Sequence, residues 1–234
     1  MELRCGTGVK RAAIKNSAFK YFSQKPHLDS FLKNGEVFFN TLSYFLSCED
    51  PTRRDEIEDS NIYKPTEGLQ ITLTKSQQQL VDHRGLISKI KNSHRVFVFC
   101  TSLELSEELS SKFCSVGCIE IFDLEEFVGR IKRRIKNPAH NIKNQELLSG
   151  KVDYYNLAQE SGPRHACPDQ IIMSKIERFS DEKEYRIAFA KDANAFAVNN
   201  VDYYLANSPI PSTKVGAPKK LILGDLTDIA RVVM

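Results

Sequence analysis

Hydrophobic residues fall mostly in short, dense runs along the chain, a pattern that predicts strands more than long helices. These runs are rich in β-branched or aromatic residues, as buried strands are. The clearest of them are RVFVFC at 95–100, VGCIEIF at 116–122, EYRIAFA at 184–190 and KKLILG at 219–224. Further strands are predicted at 17–23, 36–40 and 69–73.

Helical spacing of apolar positions occurs in fewer segments. The strongest helix is predicted after Asp123, because apolar residues follow at helical spacing and Glu126 stands three residues beyond the cap, as in a capping box. Pro138 marks its end. Shorter helices are predicted before Gly35 and at 103–113.

One more helix is predicted from Thr74 to about Lys91, although Gly85 disfavours it. The dense charged stretch at 48–60 predicts a solvated loop. Region 137–168 has the least regular pattern and is predicted to be a lid or an insertion.

Strands outnumber helices, and short helices separate several of them. This order predicts one α+β domain over residues 1–234, with a mixed or antiparallel sheet as its core. The chain has no Gly-rich strand–helix junction of the kind that opens a Rossmann or P-loop fold.

Composition bounds the function only loosely. The 234 residues, 41% hydrophobic and 27% charged, suit a globular domain, and the net charge of +3 neither requires nor excludes a nucleic-acid partner. No apolar run approaches the ~18 residues that span a bilayer, and no secretory signal is visible. These observations predict a cytoplasmic protein with no membrane partner. The scattered cysteines and histidines lack metal-site spacing, so we expect no metal, and reduced cysteines.

The segment FSDEKEYRIAF at 179–189 carries the most informative chemistry. Because side chains alternate along a strand, Glu182, Glu184 and Arg186 are predicted to share the face opposite the core. One carboxylate could bind a ribose hydroxyl and stabilise an adjacent cationic transition state, and the other could orient a nucleophile. A solvent-facing strand surface is the structural alternative.

Two other segments carry candidate polar groups. Thr101 and Ser102 follow a predicted strand, where their hydroxyls could hold backbone or a ligand, although Ser102 could equally cap the next helix. Lys20 and Tyr21 could grip a phosphate-bearing nucleotide through a point charge and an aromatic face. A basic helix face at 130–136 favours either a nucleic-acid acceptor or a solvated surface.

Four stretches resemble a group of poorly characterised bacterial proteins, some of them linked to abortive infection and phage defence. Residues 19–40 resemble that group's opening segment, a lysine–tyrosine strand followed by a helix and a second strand. The EKEYR element at 182–186 is similar to its late strand. Residues 99–122 and 220–224 resemble its middle and closing segments.

That group in turn looks distantly similar to the ADP-ribosyltransferase fold. In one branch of that fold the site comprises a basic residue, a Ser/Thr run and a Glu-x-Glu, in chain order. The resemblance implies NAD as the substrate. It implies that Glu184 binds a ribose hydroxyl and favours the oxocarbenium-like transition state, while Glu182 activates the acceptor.

The resemblance also implies a set of NAD-binding residues. Lys20 is expected to contact a phosphate, and Tyr21 is expected to stack on a ring. Thr101 and Ser102 are expected to support the Glu184 side of the site, with Arg186 beside them.

The implied function is NAD-dependent ADP-ribosyl transfer or NAD glycohydrolysis by a bacterial toxin or antiviral defence effector. The acceptor could be a protein, a nucleic acid or water, and a cognate antitoxin or defence partner is expected. One alternative is a catalytically inactive sensor or inhibitor module of a defence or toxin–antitoxin system. Another is a metal-dependent nuclease that uses the acids at 181–182. For the enzyme, Glu184→Gln is expected to abolish activity with little change in melting temperature.

Overall fold

The computed structural model describes residues 17–47, 57–66, 69–73, 78–82, 85–144, 146–158, 167–206 and 213–234. These residues form mostly strands, with a few short α-helices between some of them. The strands are β1 (Ala18–Phe22), β2 (Glu36–Thr41), β3 (Ser60–Tyr63), β4 (Leu69–Leu73), β5 (Gln78–Asp82), β6 (Leu86–Ile90), β7 (Val96–Ser102), β8 (Gly117–Ile121), β9 (Leu147–Lys151), β10 (Asp153–Tyr155), β11 (Ser174–Ile176), β12 (Glu184–Ala190), β13 (Val201–Leu205), β14 (Lys219–Ile222) and β15 (Ala230–Val232). The α-helices are α1 (Lys25–Asn34), α2 (Glu107–Lys112), α3 (Leu124–Ile135) and α4 (Pro168–Ile172).

The main sheet has eight strands, and β7 is at its centre. On one edge, β7 pairs antiparallel with β12 from Val96 opposite Ala190 to Ser102 opposite Glu184. Strand β9 then continues the sheet beyond β12. The path on the other side runs β14-β2-β7-β1-β8-β15. Nearly all pairs in the described sheets are antiparallel, and β10 with β11 is the parallel exception.

The second edge of β7 is shared by two strands. Strand β2 pairs with it at Phe97 and Val98, whereas β1 pairs with it at Ser102. On this edge of β7, the pairs with β2 end at Val98 and the pair with β1 is at Ser102. Residues 99–101 therefore have no registered partner on this edge. The sheet opens between β1 and β2 at this point, and the opening positions the candidate site.

Two apolar clusters cover the faces of the sheet. One lies under α1 and α3 and joins Phe31 and Phe127 to Phe99 and Phe189. The other joins the small residues of β12 and the valines of β7 to Ile171 and Ile172 of α4. Alternation along β7 and β12 sends successive side chains to opposite clusters, as the pleat requires.

The helix boundaries follow from local chemistry. Pro26 stands in the first turn of α1, and Gly35 ends that helix in the left-handed conformation with φ +62°. A Cβ at Gly35 would lie 2.1 Å from the carbonyl oxygen of Gly224, so only glycine fits there. Asp123 caps α3 by accepting a hydrogen bond from the amide of Glu126 at 3.0 Å.

The α+β class with mostly antiparallel pairing is confirmed. The predicted strands at 17–23, 36–40, 69–73, 95–100, 116–122, 184–190 and 219–224 are all present as β1, β2, β4, β7, β8, β12 and β14. No helix among the described residues has the length and apolarity that a bilayer crossing requires.

Two sequence-based predictions are wrong. The helix from Thr74 to Lys91 is replaced by strands β5 and β6, and Gly85 between them adopts φ +104°, which a helix does not permit. Region 137–168 stays a predicted lid or insertion, and within it β9 pairs with β12 in the main sheet. Glu182 does not lie on the late strand: it ends a 3₁₀ helix, and Lys183 turns the chain with φ +45° before β12 begins.

Most of the loop predicted at 48–60 lies outside the described residues. Its last part is a turn at 57–59 that leads into β3, with Glu58 and Asp59 both buried. Burial of these acids against partners means that this end of the segment is not a solvated loop.

Candidate functional site

A cleft of about 360 Å³ lies at the opening of the main sheet. A volume of this size is within the range of small-molecule sites. The cleft is lined from β1, α1, β2, β7, β11, β12 and the segment that leads into β12. All seven sequence-predicted residues line it: Lys20, Tyr21, Thr101, Ser102, Glu182, Glu184 and Arg186.

Glu184 and Arg186 form a buried ion pair at the inner end of the cleft. Arg186 is fully buried and Glu184 is 5% exposed. Arg186 Nε donates to Glu184 Oε1 at 2.7 Å, and Nη2 donates to Oε2 at 3.2 Å. Nη1 donates to the carbonyl oxygen of Ile172, and Nη2 lies 2.6 Å from Glu58 Oε1. The guanidinium is thus bound on all sides by protein, so Arg186 holds Glu184 in place.

The shared face of Glu184 and Arg186 is predicted correctly, but it is not a solvent-facing surface. Every residue of β12 is buried. This face also carries the second apolar cluster farther along β12. Glu184 and Arg186 are covered by the turn that carries Glu58 and by α4, whose C-terminal residue Ile172 accepts from Arg186.

Two lysines bind Glu182. Lys175 Nζ donates to Glu182 Oε2 at 2.7 Å, and it also reaches Glu184 Oε2 at 3.4 Å. Lys112 Nζ donates to Glu182 Oε1 at 3.1 Å and to Asp181 Oδ2 at 2.9 Å. Each carboxylate oxygen of Glu182 therefore accepts a hydrogen bond from one ammonium group and keeps a further lone pair.

Burial and charge act in opposite directions on Glu184. Burial alone favours the protonated acid, but the positive charges of Arg186 and Lys175 outweigh it and hold the pKa of Glu184 well below its ordinary value. Burial likewise acts to lower the pKa of Lys175, yet the carboxylates of Glu184, Glu58 and Glu182 raise it. Glu184 is therefore an anion, and a weak base, at neutral pH.

Lys20 lies beside the opening in the sheet. Its Nζ donates to the carbonyl oxygen of Cys100 at 2.8 Å and lies 4.7 Å from the centre of the Phe99 ring. Cys100 is in the part of β7 that lies between the pairs with β2 and β1. The ammonium of Lys20 thus binds a backbone acceptor at the opening and brings a positive charge to the cleft wall.

Tyr21 packs against α2. Its ring lies 5.8 Å from that of Phe113, and its hydroxyl donates to the carbonyl oxygen of Glu104 at 3.0 Å and accepts from the amide of Ser106 at 2.9 Å. Burial raises the pKa of Tyr21. One edge of the ring is fixed by these bonds, and the residue lines the cleft.

The two hydroxyl residues of β7 have different roles. Ser102 lies on the Glu184 side and accepts from the amide of Glu104 at 3.1 Å, whereas Ser106 caps α2. Thr101 points to the opposite side and donates to the carbonyl oxygen of Tyr185 at 3.1 Å. The hydroxyl of Thr101 thus binds the backbone of the residue after Glu184, and its support of the Glu184 side of the site stays a prediction.

Cys100 adds a thiol to the inner end of the cleft. Burial, and then the negative charge of Glu184, raise the pKa of this thiol. A protonated thiol is a poor nucleophile, so Cys100 is a neutral wall residue that shares a hydrogen bond with Glu184. Cys100, Cys114 and Cys118 are free, but Cys167 is disulfide-bonded, so the expectation of reduced cysteines is wrong there.

Sequence reasoning missed several residues of the cleft. Lys175 and Glu58 come from segments without a motif, and Lys112 belongs to a predicted helix with no assigned role. The three residues of β11, Ser174–Ile176, show no alternation that would have predicted a strand, and nothing in the sequence indicates that Lys175 lies beside Glu182. The exposed rim is aromatic, with Phe38 46% exposed and His27 nearby at a ring distance of 6.3 Å.

Two further candidates from the sequence are the metal site of the alternative nuclease and the basic helix face at 130–136. In the described part of the chain, no three His, Cys, Asp or Glu side chains are grouped in a way that could hold a metal ion. On the basic face of α3, Arg130 binds Glu126 and Asp228, and Arg133 binds Glu126 at 2.7 Å. Part of that positive charge is thus neutralised within the protein.

Comparison of the chain with protein-family models, with curated proteins and with solved structures gave no match.

Proposed function

We propose that the protein cleaves the nicotinamide–ribose bond of NAD and passes the ADP-ribosyl group to an acceptor. The observation that carries this proposal is the opening between β1 and β2. Three neighbouring strands meet at this cleft, and each contributes one residue: Lys20 from β1, Ser102 from β7 and Glu184 from β12. The finer ADP-ribosyltransferase-like description of the fold is part of the same proposal.

Each wall of the cleft suits one part of a dinucleotide. Lys20 supplies a fixed positive charge for a phosphate. Carboxylate oxygens accept hydrogen bonds from ribose hydroxyls, and aromatic side chains stack on planar rings. The cleft contains these three chemistries together, with Glu184 at its inner end and Phe38 at its rim.

The charge of Glu184 favours one type of chemistry. Because its pKa is held well below the ordinary value, Glu184 is a poor proton acceptor and acts as a fixed negative charge. A fixed anion stabilises positive charge that develops in a transition state, and each ~1.4 kcal/mol of such stabilisation is worth a factor of ten in rate. As nicotinamide leaves, the ribose carbon C1′ develops this positive charge.

The bond changes balance without a further cofactor. The bond between C1′ and the ring nitrogen breaks, and its electron pair neutralises the positive ring of the nicotinamide, which leaves as a neutral molecule. The acceptor oxygen or nitrogen then bonds to C1′ and loses a proton, which Glu182 takes up and passes to solvent.

The test is the release of nicotinamide from NAD by the purified chain, followed by liquid chromatography. We expect release by the native chain and its loss in Glu182→Gln and Glu184→Gln. Glu126→Gln is the matched control, because Glu126 also binds two cations but lies on α3, outside the cleft. Absence of release, together with absence of any thermal shift on adding NAD, would overturn the proposal.

A catalytically inactive nucleotide-binding module is the second candidate. It is favoured by one observation: Arg186, Lys175 and Cys100 already surround the carboxylate of Glu184. A thermal shift with NAD but no turnover would support it. Metal-dependent cleavage of nucleic acid that EDTA abolishes would instead support the nuclease. A toxin or defence role is proposed from the resemblance of the sequence alone.

A further inference from the structure

The acid that must activate the acceptor, Glu182, lies in a recess. Its side chain is 9% exposed, and both of its oxygens bind lysine ammonium groups. A general base has to come within hydrogen-bond distance of the proton that it removes. The space around Glu182 therefore limits which nucleophile can reach C1′.

The surface side of Glu182 is covered by an ion pair. Lys112 and Asp181 bind each other at 2.9 Å, and Lys112 also binds Glu182 Oε1. Lys112 is 28% exposed and Asp181 57% exposed, whereas the Glu182 side chain is 9% exposed, so the pair is the solvent-facing part of this cluster. A macromolecular side chain that came from that side would have to displace the pair to reach the acid.

On the cleft side, Glu182 is bound by Lys175. This lysine binds Glu182 and Glu184, and its ammonium lies 4.4 Å from the centre of the Phe179 ring. Carboxylates raise the pKa of Lys175, and the hydrogen bond to Asp181 raises that of Lys112 against the effect of burial, so both lysines stay charged. Both oxygens of Glu182 therefore stay bound to a charged lysine, and an acceptor has to use a remaining lone pair.

We infer that the acceptor is water, so that the protein is an NAD glycohydrolase. This inference rests on the proposed function and narrows it. A water molecule occupies about 30 Å³ and can use a free lone pair of Glu182 without moving either lysine. The hydrolysis consumes NAD and water and yields ADP-ribose, neutral nicotinamide and one proton.

The surface charge of the protein agrees with a small acceptor. The basic face of α3 is the sequence feature that favoured a nucleic-acid acceptor, but Arg130 and Arg133 are paired with Glu126 and Asp228. That face thus offers less free charge to phosphates than the sequence indicates.

The experiment compares the two products of NAD turnover. The native chain is incubated with NAD in ¹⁸O-labelled water, alone and with total bacterial protein, total RNA or DNA oligonucleotides. We expect free ¹⁸O-labelled ADP-ribose in an amount equal to the nicotinamide released, with no ADP-ribose on any macromolecule. ADP-ribose bound to protein or nucleic acid in comparable amounts would overturn the inference but leave the proposed function intact. No nicotinamide release at all would overturn both.

A variant tests whether the Lys112–Asp181 cover selects the acceptor. Lys112→Ala uncovers Glu182 toward solvent, so in mixtures of water and 2-propanol the ratio of alcohol adduct to ADP-ribose is expected to rise severalfold. Lys91→Ala is the matched control, because Lys91 forms an exposed pair with Asp202 at 3.3 Å, outside the cleft. An unchanged ratio in Lys112→Ala would contradict the role of the cover.

Discussion

The ammonium of Lys20 donates a 2.8 Å hydrogen bond to the carbonyl oxygen of Cys100, beside the opening in the main sheet. Strands β1 and β2 both pair with β7, but neither has a registered partner at Cys100. A side chain therefore satisfies an acceptor that a neighbouring strand would otherwise bind. Lys20 serves the fold and the cleft at once, and this dual role shapes the first prediction.

Lys20→Met is expected to weaken NAD binding and to lower stability. A lost hydrogen bond to a charged group costs about 1.5–3 kcal/mol, which corresponds to roughly a tenfold to hundredfold rise in Kd or KM. Lys219→Met is the control, because Lys219 Nζ also donates to a backbone carbonyl, that of His140 at 3.3 Å, but does not line the cleft. Calorimetric titration with NAD and urea unfolding separate the two effects. Equal loss of NAD affinity in both variants would contradict the phosphate role of Lys20.

Glu184→Gln is expected to destabilise the protein strongly, in contrast to the small effect expected from the sequence alone. Removing one partner of a buried ion pair leaves the other charge uncompensated and costs about 3–5 kcal/mol. Arg186 is fully buried and keeps Glu58 as a carboxylate partner at 2.6 Å, so a cost near the lower end of this range is expected. Urea unfolding measures it, and the double variant Glu184→Gln/Arg186→Met is expected to lose less than the sum of the two single variants. Additive losses would show that the two side chains are not coupled.

Lowering the pH is expected to remove part of the free energy of unfolding that Glu184 contributes. Arg186 and Lys175 hold the pKa of Glu184 below its ordinary value of 4.5. The Glu184 carboxylate therefore binds a proton less readily in the folded state than in the unfolded state. The contribution is complete above pH 4.5 and is lost as pH falls below it. The difference in free energy of unfolding between the native chain and Glu184→Gln should therefore shrink between pH 5 and pH 3. A difference that stays constant over this interval would contradict the depressed pKa.

Tyr154 and Tyr155 offer a matched pair for testing how β12 positions Glu184. The hydroxyl of Tyr154 accepts from the amide of Glu184 at 2.9 Å, and that of Tyr155 accepts from the amide of Ile62 at 3.0 Å. Each Tyr→Phe change leaves a backbone donor without this partner, at a cost of about 1–3 kcal/mol. We expect turnover of NAD at saturation to fall only in Tyr154→Phe. Equal kcat values in the two variants, measured by nicotinamide release, would show that Tyr154 does not position the acid.

Much of the main sheet could be predicted because its strands carry dense apolar runs. The face shared by Glu184 and Arg186 followed from alternation alone. The strands at Gln78–Asp82 and Leu86–Ile90 were missed because their apolar residues also fit helical spacing, and only the conformation of Gly85 separates the two interpretations.

The partners of the predicted acids could not be found in the sequence. Glu58 lies 126 positions before Glu184 in number, and Lys112 lies 69 positions before Asp181, so these pairs exist only through the tertiary fold. Local spacing carries no information on such contacts. The prediction that Glu182 lies on the late strand was wrong for a local reason, because Lys183 turns the chain between Glu182 and Glu184.

Strand β7 is paired along its whole length with β12 and is shared on its other edge by β2 and β1. A substitution in β7 consequently disturbs both halves of the sheet, whereas Lys20, Lys175 and Glu182 lie on other segments. A change in one of these side chains therefore affects fewer strand pairs than a change in β7 does. Under the proposed function, a related protein without catalysis would keep the apolar pattern of β7 and change the lysines or the glutamate of the cleft. Those three positions, and not the apolar pattern, would then separate catalytic from non-catalytic proteins of this fold.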